Sequence, residues 1–465
     1  MNEYYLIIFL IVIEIFFILL ILQRLLKSNI RKRRLIYEPI FVFLLGSSAI
    51  YLFIPLLMIT FEWKWHNLQF SEYSYMKANF MAFGYILFVF IFYSIIHLFI
   101  TRRSSKVFKK YIKTPNKLTK KQLYFLIYFF LIPTIAVTIY LLKYALSFGL
   151  ENYLINRIVL RKGMGPMVLF SYMSIILIPL LFTNILIWAQ TKKRIIAIIS
   201  IILFLIGIAL PFIISFVIMG NRFPAFVLFT VLVISYISVS KEKLSGYKII
   251  KYLFVFVLVF LFFTFAGFLR YIKTTGDFEV LNLEMVSSLY LDELQKALVF
   301  NFGNFEHLVW LVDNSDEWEL LYGKTFFAGL INIIPRSIFE NKLLGGGPHL
   351  KNFINPGSYN IQASNITSYT TGIAIETFMN FRYFGLIIIP FFHALILVFL
   401  KKLSLLINGN LILLVVYIFL LFAASFLIMF GEFLGIYTQS LIVVIPFLFF
   451  YFVTKPNNIK RIDSK

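Results

Sequence analysis

The chain has 465 residues, 61% of them hydrophobic and 14% charged, a balance too apolar for a soluble domain of this size. It contains no Cys, which excludes disulfides, Fe–S clusters, thiol nucleophiles and Cys-ligated zinc. A formal charge of +22 would suggest nucleic acid in a soluble chain, but in a membrane chain its meaning depends on where the charges lie, and no nucleic-acid partner is expected.

Eleven apolar runs are long enough to cross the hydrocarbon core as helices. In chain order they are Tyr4 to Leu22, Pro39 to Ile59, Phe80 to Ile100, Leu123 to Leu142, Met167 to Ala189, Ile195 to Met219, Phe223 to Val239, Ile249 to Leu269, Phe384 to Leu400, Leu411 to Met429 and Phe433 to Val453. The fold class expected is therefore an all-α polytopic membrane protein. The first run lacks a basic start and a small-residue cleavage site, and Arg24, Lys27 and the basic stretch 31–34 follow it, so it reads as a span and not as a cleavable signal.

Basic connections stay cytoplasmic. The connections after the first, third, fifth, seventh and ninth runs, with the C-terminal tail, hold most of the 43 Lys and Arg and only Glu38, Glu242 and Asp463 among the acids. This predicts an external N-terminus and a cytoplasmic C-terminus. Three regions follow: eight spans over 1–269, a long external loop or cap over 270–383, and three spans with a cytoplasmic tail over 384–465. Within the loop, Leu281 to Val312 has helical periodicity, and Thr325 to Phe339 reads as an interfacial or re-entrant segment.

Some motif matches fail on their physics. Gly323-Lys324-Thr325 echoes a phosphate-binding loop, but Trp318 stands where the earlier Gly is required. The five His residues, His66, His97, His307, His349 and His393, lack metal-ligand spacing, so no metal and no other cofactor is expected. Asn365-Ile366-Thr367 is a glycosylation sequon by pattern only.

Charges at the membrane boundary are better guides, because each is costly unless paired or working. Asn221 and Arg222 lie in the external turn Met219-Gly220-Asn221-Arg222-Phe223-Pro224, just ahead of a helix start. Free N–H groups of a helix N-terminus beside a guanidinium make an anion site in outline, suited to a diphosphate. The alternative is an interfacial Arg snorkelling to water. Arg157 and Arg161 share a helix face by their spacing, Arg270 ends the eighth run, and Arg336 and Lys342 lie in the loop. These cations form a candidate external ring for pyrophosphate, while each alone is compatible with a headgroup or loop ion pair. Glu306, Glu376 and His349 are the candidate bases, since a carboxylate at an apolar boundary can serve as a general base for a sugar hydroxyl. For these carboxylates the competing reading is an ion pair with Arg382 or another cation. Glu14 reads as satisfied by a neighbouring helix, and Glu432 in a two-helix turn has no assigned role.

The ordered set Gly220-Asn221-Arg222, Glu306, Ile334-Pro335-Arg336 with Lys342, and Thr371-Gly372 leading through Glu376 to Gly385 resembles the Wzy-type oligosaccharide repeat-unit polymerases of O-antigen, capsule and common-antigen synthesis. The resemblance covers most of the chain by topology and only these stretches by sequence. It departs from the family in one respect: the paired R-x10-G motifs of some members appear at most once, from Arg336 to Gly347. The resemblance implies a GT-C-like fold and a bacterial cytoplasmic-membrane location with an external active site. It further implies polyprenyl-diphosphate-linked oligosaccharides as substrates, and flippase and chain-length regulator proteins as partners. An O-antigen-type ligase uses a similar donor, and a flippase or transporter of lipid-linked glycan is the alternative from another class.

Overall fold

The structure is a computed structural model that describes residues 3–29, 38–61, 71–103, 116–149, 153, 165–189, 223–239, 304–332, 334, 342–359, 368–407 and 409–454. Among these every regular element is a helix. They are α1 (Glu3–Asn29), α2 (Pro39–Ser48), α3 (Ile54–Thr60), α4 (Glu72–Arg103), α5 (Lys120–Leu126), α6 (Ile132–Ser147), α7 (Gly165–Ala189), α8 (Phe223–Val239), α9 (Asn304–Asp313), α10 (Lys324–Ile331), α11 (Gly346–Ile354), α12 (Ile373–Phe381), α13 (Gly385–Leu406), α14 (Leu411–Phe422), α15 (Ile428–Phe430) and α16 (Phe433–Thr454).

Seven segments of the described residues are long and apolar enough to cross a membrane: Tyr5–Leu25, Pro39–Thr60, Glu72–Ile100, Lys120–Ser147, Ile373–Ser404, Leu411–Phe430 and Phe433–Thr454. The chain is thus a multi-pass membrane protein, all-helical among the described residues. These seven match expected runs, although the segment from Ile373 starts eleven residues earlier than Phe384 because α12 and α13 follow one another through a single 3-10 turn, Arg382–Phe384. The runs at 167–189 and 223–239 are the helices α7 and α8. Those at 195–219 and 249–269 lie outside the described residues. In the long loop, α9 occupies the described end of the periodic stretch, and α10 begins the apolar segment, exposing Phe327 and Leu330.

Sequence explains the irregular turns inside the spans. A π-helical turn, Ala49–Phe53, joins α2 to α3, and another, Ile127–Leu131, joins α5 to α6, each just ahead of a proline, Pro55 or Pro133. Proline lacks an N–H and crowds the carbonyl four residues back, and the wider turn keeps the helix continuous. A third π turn, Ala423–Leu427, leads from α14 into α15, and there the Ala424 carbonyl accepts from His393 Nε2 at 2.7 Å. A carbonyl can only accept, so Nε2 carries the proton and Nδ1 accepts from the Tyr85 hydroxyl at 2.9 Å.

The chain divides into two compact units. The second comprises 109–241, 402–420 and 439–465. There Thr119 and Gln122 form a capping box at the start of α5, Phe125 stacks on Phe450 and Phe130 on Phe447, and α7 packs along α8.

The first unit comprises 1–108, 242–401 and 421–438 and holds the buried polar groups on which function turns. Glu14 is tied by both oxygens to Asn79 Nδ2, at 3.0 and 2.9 Å, as expected of a neighbouring-helix partner. Glu38, at the start of α2, pairs with Lys401 of α13 and accepts from the Tyr93 hydroxyl at 2.6 Å. Asp313, the last residue of α9, accepts from the Ser71 N–H at 3.2 Å and from the Ser71 and Ser74 hydroxyls at 2.9 and 2.5 Å, which fastens α9 to the start of α4.

Candidate functional site

The first turns of α9 and α12 bring polar side chains into a region where water does not reach. Asn304, Glu306, His307, Thr371, Glu376 and Asn380 are all fully buried. Burial of such groups is costly unless hydrogen bonds replace water, and most of the cluster obeys that rule. Asn304 Nδ2 donates to the Phe430 carbonyl at 2.8 Å, and its Oδ1 accepts from the Thr370 hydroxyl at 2.8 Å. His307 Nδ1 lies 3.1 Å from the Thr370 carbonyl, and its ring stacks on Tyr369. Asn380 Nδ2 donates to Thr325 Oγ1 and to the Glu376 carbonyl, both at 2.7 Å.

Gly372 makes the approach to α12 possible. Its φ of +77° favours glycine, and a Cβ there would fall on the Met429 carbonyl and within 2.8 Å of the Tyr51 hydroxyl oxygen. Tyr51, on the π turn after α2, donates to that same carbonyl at 2.6 Å. The segment 368–372 is thereby seated against the turn between α15 and α16, with Glu376 one helical turn further on.

Glu376 stands in the first turn of α12, where the exposed N–H groups favour a carboxylate. Its Oε1 accepts from the Phe433 N–H at 2.7 Å and from the Thr371 hydroxyl at 3.0 Å. The Thr325 hydroxyl also approaches the carboxyl, and Oε2 is buried without a hydrogen-bond partner among the described residues. Next to it is Glu432, whose Oε1 is likewise buried without a donor among them. Burial pushes the Glu432 carboxyl above the usual range, while the backbone N–H groups of Gly347 and Gly346 pull it back. The Gly345-Gly346-Gly347 run is what lets these carboxyls in. A Cβ at Gly345 would fall on Glu432 Oε1, and one at Gly346 would lie 2.6 Å from Glu376 Cδ.

Of the three candidate bases, Glu306 and Glu376 are thus buried on helices that pack together, α9 and α12. His349 lies one turn into α11, the helix that the glycine run begins, half-buried, with burial and then Lys324 holding its imidazole below the usual histidine range. Lys342 donates from Nζ to the Asn332 carbonyl at 2.6 Å. Arg222, Asn221, Arg270, Arg336, Arg157 and Arg161 all lie outside the described residues, so the expected ring of cations is not part of this geometry.

The competing ion pair between Glu376 and Arg382 does not form. Arg382 has a φ of +48° and turns its guanidinium away, 4.9 Å above the Trp318 ring, bonding the Ser315 carbonyl and lying 3.9 Å from Asp316. Among the described residues no Lys or Arg forms an ion pair with Glu376 or Glu432. Sequence reasoning left Glu432 without a role, since a single acid in a short turn carries no distinguishing spacing. The usable signal was the only Gly-Gly-Gly in the chain, which marks a close approach by something bulky.

No family model matches the chain, and neither a curated protein nor a solved structure is found similar to it.

Proposed function

We propose that this chain is a membrane-embedded glycosyltransferase that joins polyprenyl-diphosphate-linked oligosaccharide repeat units into a polysaccharide on the external side of a bacterial cytoplasmic membrane. It would have eleven spans and a GT-C-like fold. The observation that carries this reading is the buried carboxyls of Glu376 and Glu432, with which no Lys or Arg among the described residues forms an ion pair, at the start of a membrane helix. A structural carboxylate in an apolar bundle is normally neutralised by a cation. One left without a cation is suited to taking up a proton, which is the task a sugar hydroxyl sets its attacking site.

In this mechanism an acceptor hydroxyl attacks the anomeric carbon of the growing chain while the bond to the diphosphate breaks. A carboxylate of the cluster receives the hydroxyl proton. Arg222, with Arg270, Arg336, Arg157 and Arg161, offsets the charge that develops on the diphosphate, the part that metal ions play in other transferases. Lys342 uses one of its three N–H groups on Asn332 and keeps donors for an anion. Neither a metal nor a nucleotide sugar enters the scheme.

A transporter of lipid-linked glycan is the second reading, and the same carboxylates favour it, because buried acids also carry coupling protons. Purified protein incubated with one lipid-linked repeat unit separates the possibilities. A ladder of products is the polymerase outcome. A single transfer to a different acceptor indicates a ligase, and no transfer, with flipping driven by a proton gradient in vesicles, overturns the enzymatic reading. Topology reporters after Lys113 and Lys243 should read cytoplasmic and one at Asn314 external. A cytoplasmic Asn314 would place the cluster on the wrong side.

A further inference from the structure

Glu376 and Glu432 are acids that meet at one glycine run, each with one oxygen that receives no hydrogen bond among the described residues. Glu376 Oε2 and Glu432 Oε1 are both buried acceptors without a donor among the described residues. Their other contacts are with backbone N–H groups and, at Glu376, with threonine hydroxyls. Glu376 Oε1 is fixed by the Phe433 N–H and the Thr371 hydroxyl, and Glu432 by the N–H groups of Gly346 and Gly347 at the start of α11. They lie against consecutive glycines, Glu432 at Gly345 and Glu376 at Gly346. Residue 433, which holds one carboxyl, follows directly after the residue that carries the other. Glu432 lies near enough for its charge to act on Glu376, and two carboxylates removed from water repel each other when both are charged. One added proton removes that repulsion.

We propose that Glu376 and Glu432 form one proton-sharing carboxylate pair framed by Gly345 and Gly346, in which Glu376 holds the proton and Glu432, the ionised member, receives the proton of the attacking hydroxyl. The division of roles follows from the surroundings. Glu376 is wholly buried, whereas Glu432 is partly exposed and rests on the N-terminal N–H groups of α11, which stabilise its charge. The assignment of the hydroxyl to this pair rests on the polymerase reading, while the shared proton does not. In the step itself the acceptor oxygen bonds to the anomeric carbon, and the anomeric C–O bond breaks with its electron pair on the diphosphate. The hydroxyl proton moves to Glu432, from which solvent later removes it. Glu376 is a positioning residue in this scheme: its proton orients the Glu432 carboxylate and is not consumed.

The pair makes a prediction opposite to that of a single base at Glu376. The Glu376→Gln side chain can donate an amide N–H to Glu432 in place of the shared proton, so activity should fall by no more than about tenfold. Glu376→Leu supplies no donor and should cost far more. Glu432→Gln removes the receiving carboxylate and should lower kcat by about a hundredfold or more. These variants are compared on the full-length protein in lipid nanodiscs with one lipid-linked repeat unit. Infrared difference spectra of the same samples at neutral pH read the proton directly. A protonated-carboxyl band should be present in the wild type and in Glu432→Gln and absent from Glu376→Gln. Glu376→Gln as inactive as Glu432→Gln, or a band indifferent to Glu376→Gln, overturns the pair. If the wild type forms no polymer yet the band follows Glu376, the polymerase reading fails and the hydroxyl role with it, while the shared proton stands.

Discussion

Glu38 and Glu376 are both carboxylates withdrawn from water in an apolar bundle, and their surroundings are opposite. Glu38 is matched by Lys401, their side chains 12% and 14% exposed, and by the Tyr93 hydroxyl, so its charge is answered in place. Glu376 has backbone and hydroxyl donors on one oxygen, nothing on the other, and a second carboxylate where a cation would be expected. Both belong to the segment Ile373–Ser404 through Lys401 and Glu376, about 25 residues apart. The comparison teaches that burial alone does not mark a working acid. Glu14 makes the same point, because Asn79 occupies both of its oxygens. What distinguishes Glu376 is one oxygen held by the Phe433 N–H and the Thr371 hydroxyl beside one that accepts no hydrogen bond among the described residues.

The comparison is most sharply tested by neutralising each site. Converting both Glu376 and Glu432 to Gln should lower polymer formation by about 10²- to 10⁴-fold with folded yield and thermal midpoint in detergent unchanged or improved, because it removes a charge that has no counter-ion among the described residues. A large drop in midpoint would make the pair structural. Glu38→Gln should do the reverse. It leaves Lys401 buried without its counter-charge, at a cost of about 3 kcal/mol in stability, and should spare activity per folded molecule. Adding Lys401→Met in the same chain should recover most of the loss, and failure to recover would show that Glu38 does more than answer Lys401.

Two smaller effects refine the picture. Gly345→Ala brings a methyl onto Glu432 Oε1 and should cost about 1–3 kcal/mol along with activity. Gly84→Ala, on α4 with open space around it, should be neutral or stabilise by up to about 1 kcal/mol. Equal effects of the two in a thermal-shift assay would remove the argument that the glycine run is a cradle. The smallest effect is expected at Asp313. Burial would raise its carboxyl, but the hydroxyls of Ser74 and Ser71, the Ser71 N–H and Lys77 hold it below the usual aspartate range. Such a group stabilises the fold above its unfolded pKa and loses that contribution as pH falls through the folded value. Asp313→Asn should therefore cost about 0.5 kcal/mol at neutral pH, modest because the group is exposed. The difference from wild type should vanish on acid titration; a gap that persists in acid would mean that the tie between α9 and α4 is not ionic.

Much of the architecture is legible in the sequence because membrane insertion is decided by local composition. A run such as Leu411 to Met429 pays for its backbone only as a helix in lipid, whatever its neighbours do. The start of α12 is less legible. Glu376 and the polar residues around it interrupt the apolar pattern, so the apolar run begins only at Phe384, while partners such as Phe433 and Thr325 lie far away along the chain. Glu306 and Glu376 stand out as acids at an apolar boundary, but nothing in their spacing tells a paired acid from an incompletely bonded one.

The sequence by itself determined that this chain lives in a bilayer as helices, and it named the acids worth asking about, because hydropathy and charge are properties of residues and short runs. Only the tertiary structure decided that Arg382 serves Trp318 and Ser315 instead of Glu376, and that Glu432, with no spacing to recommend it, shares a glycine cradle with Glu376. Those outcomes depend on which distant segments meet, and in a low-dielectric interior a few ångströms decide whether a charge is answered or left with work to do.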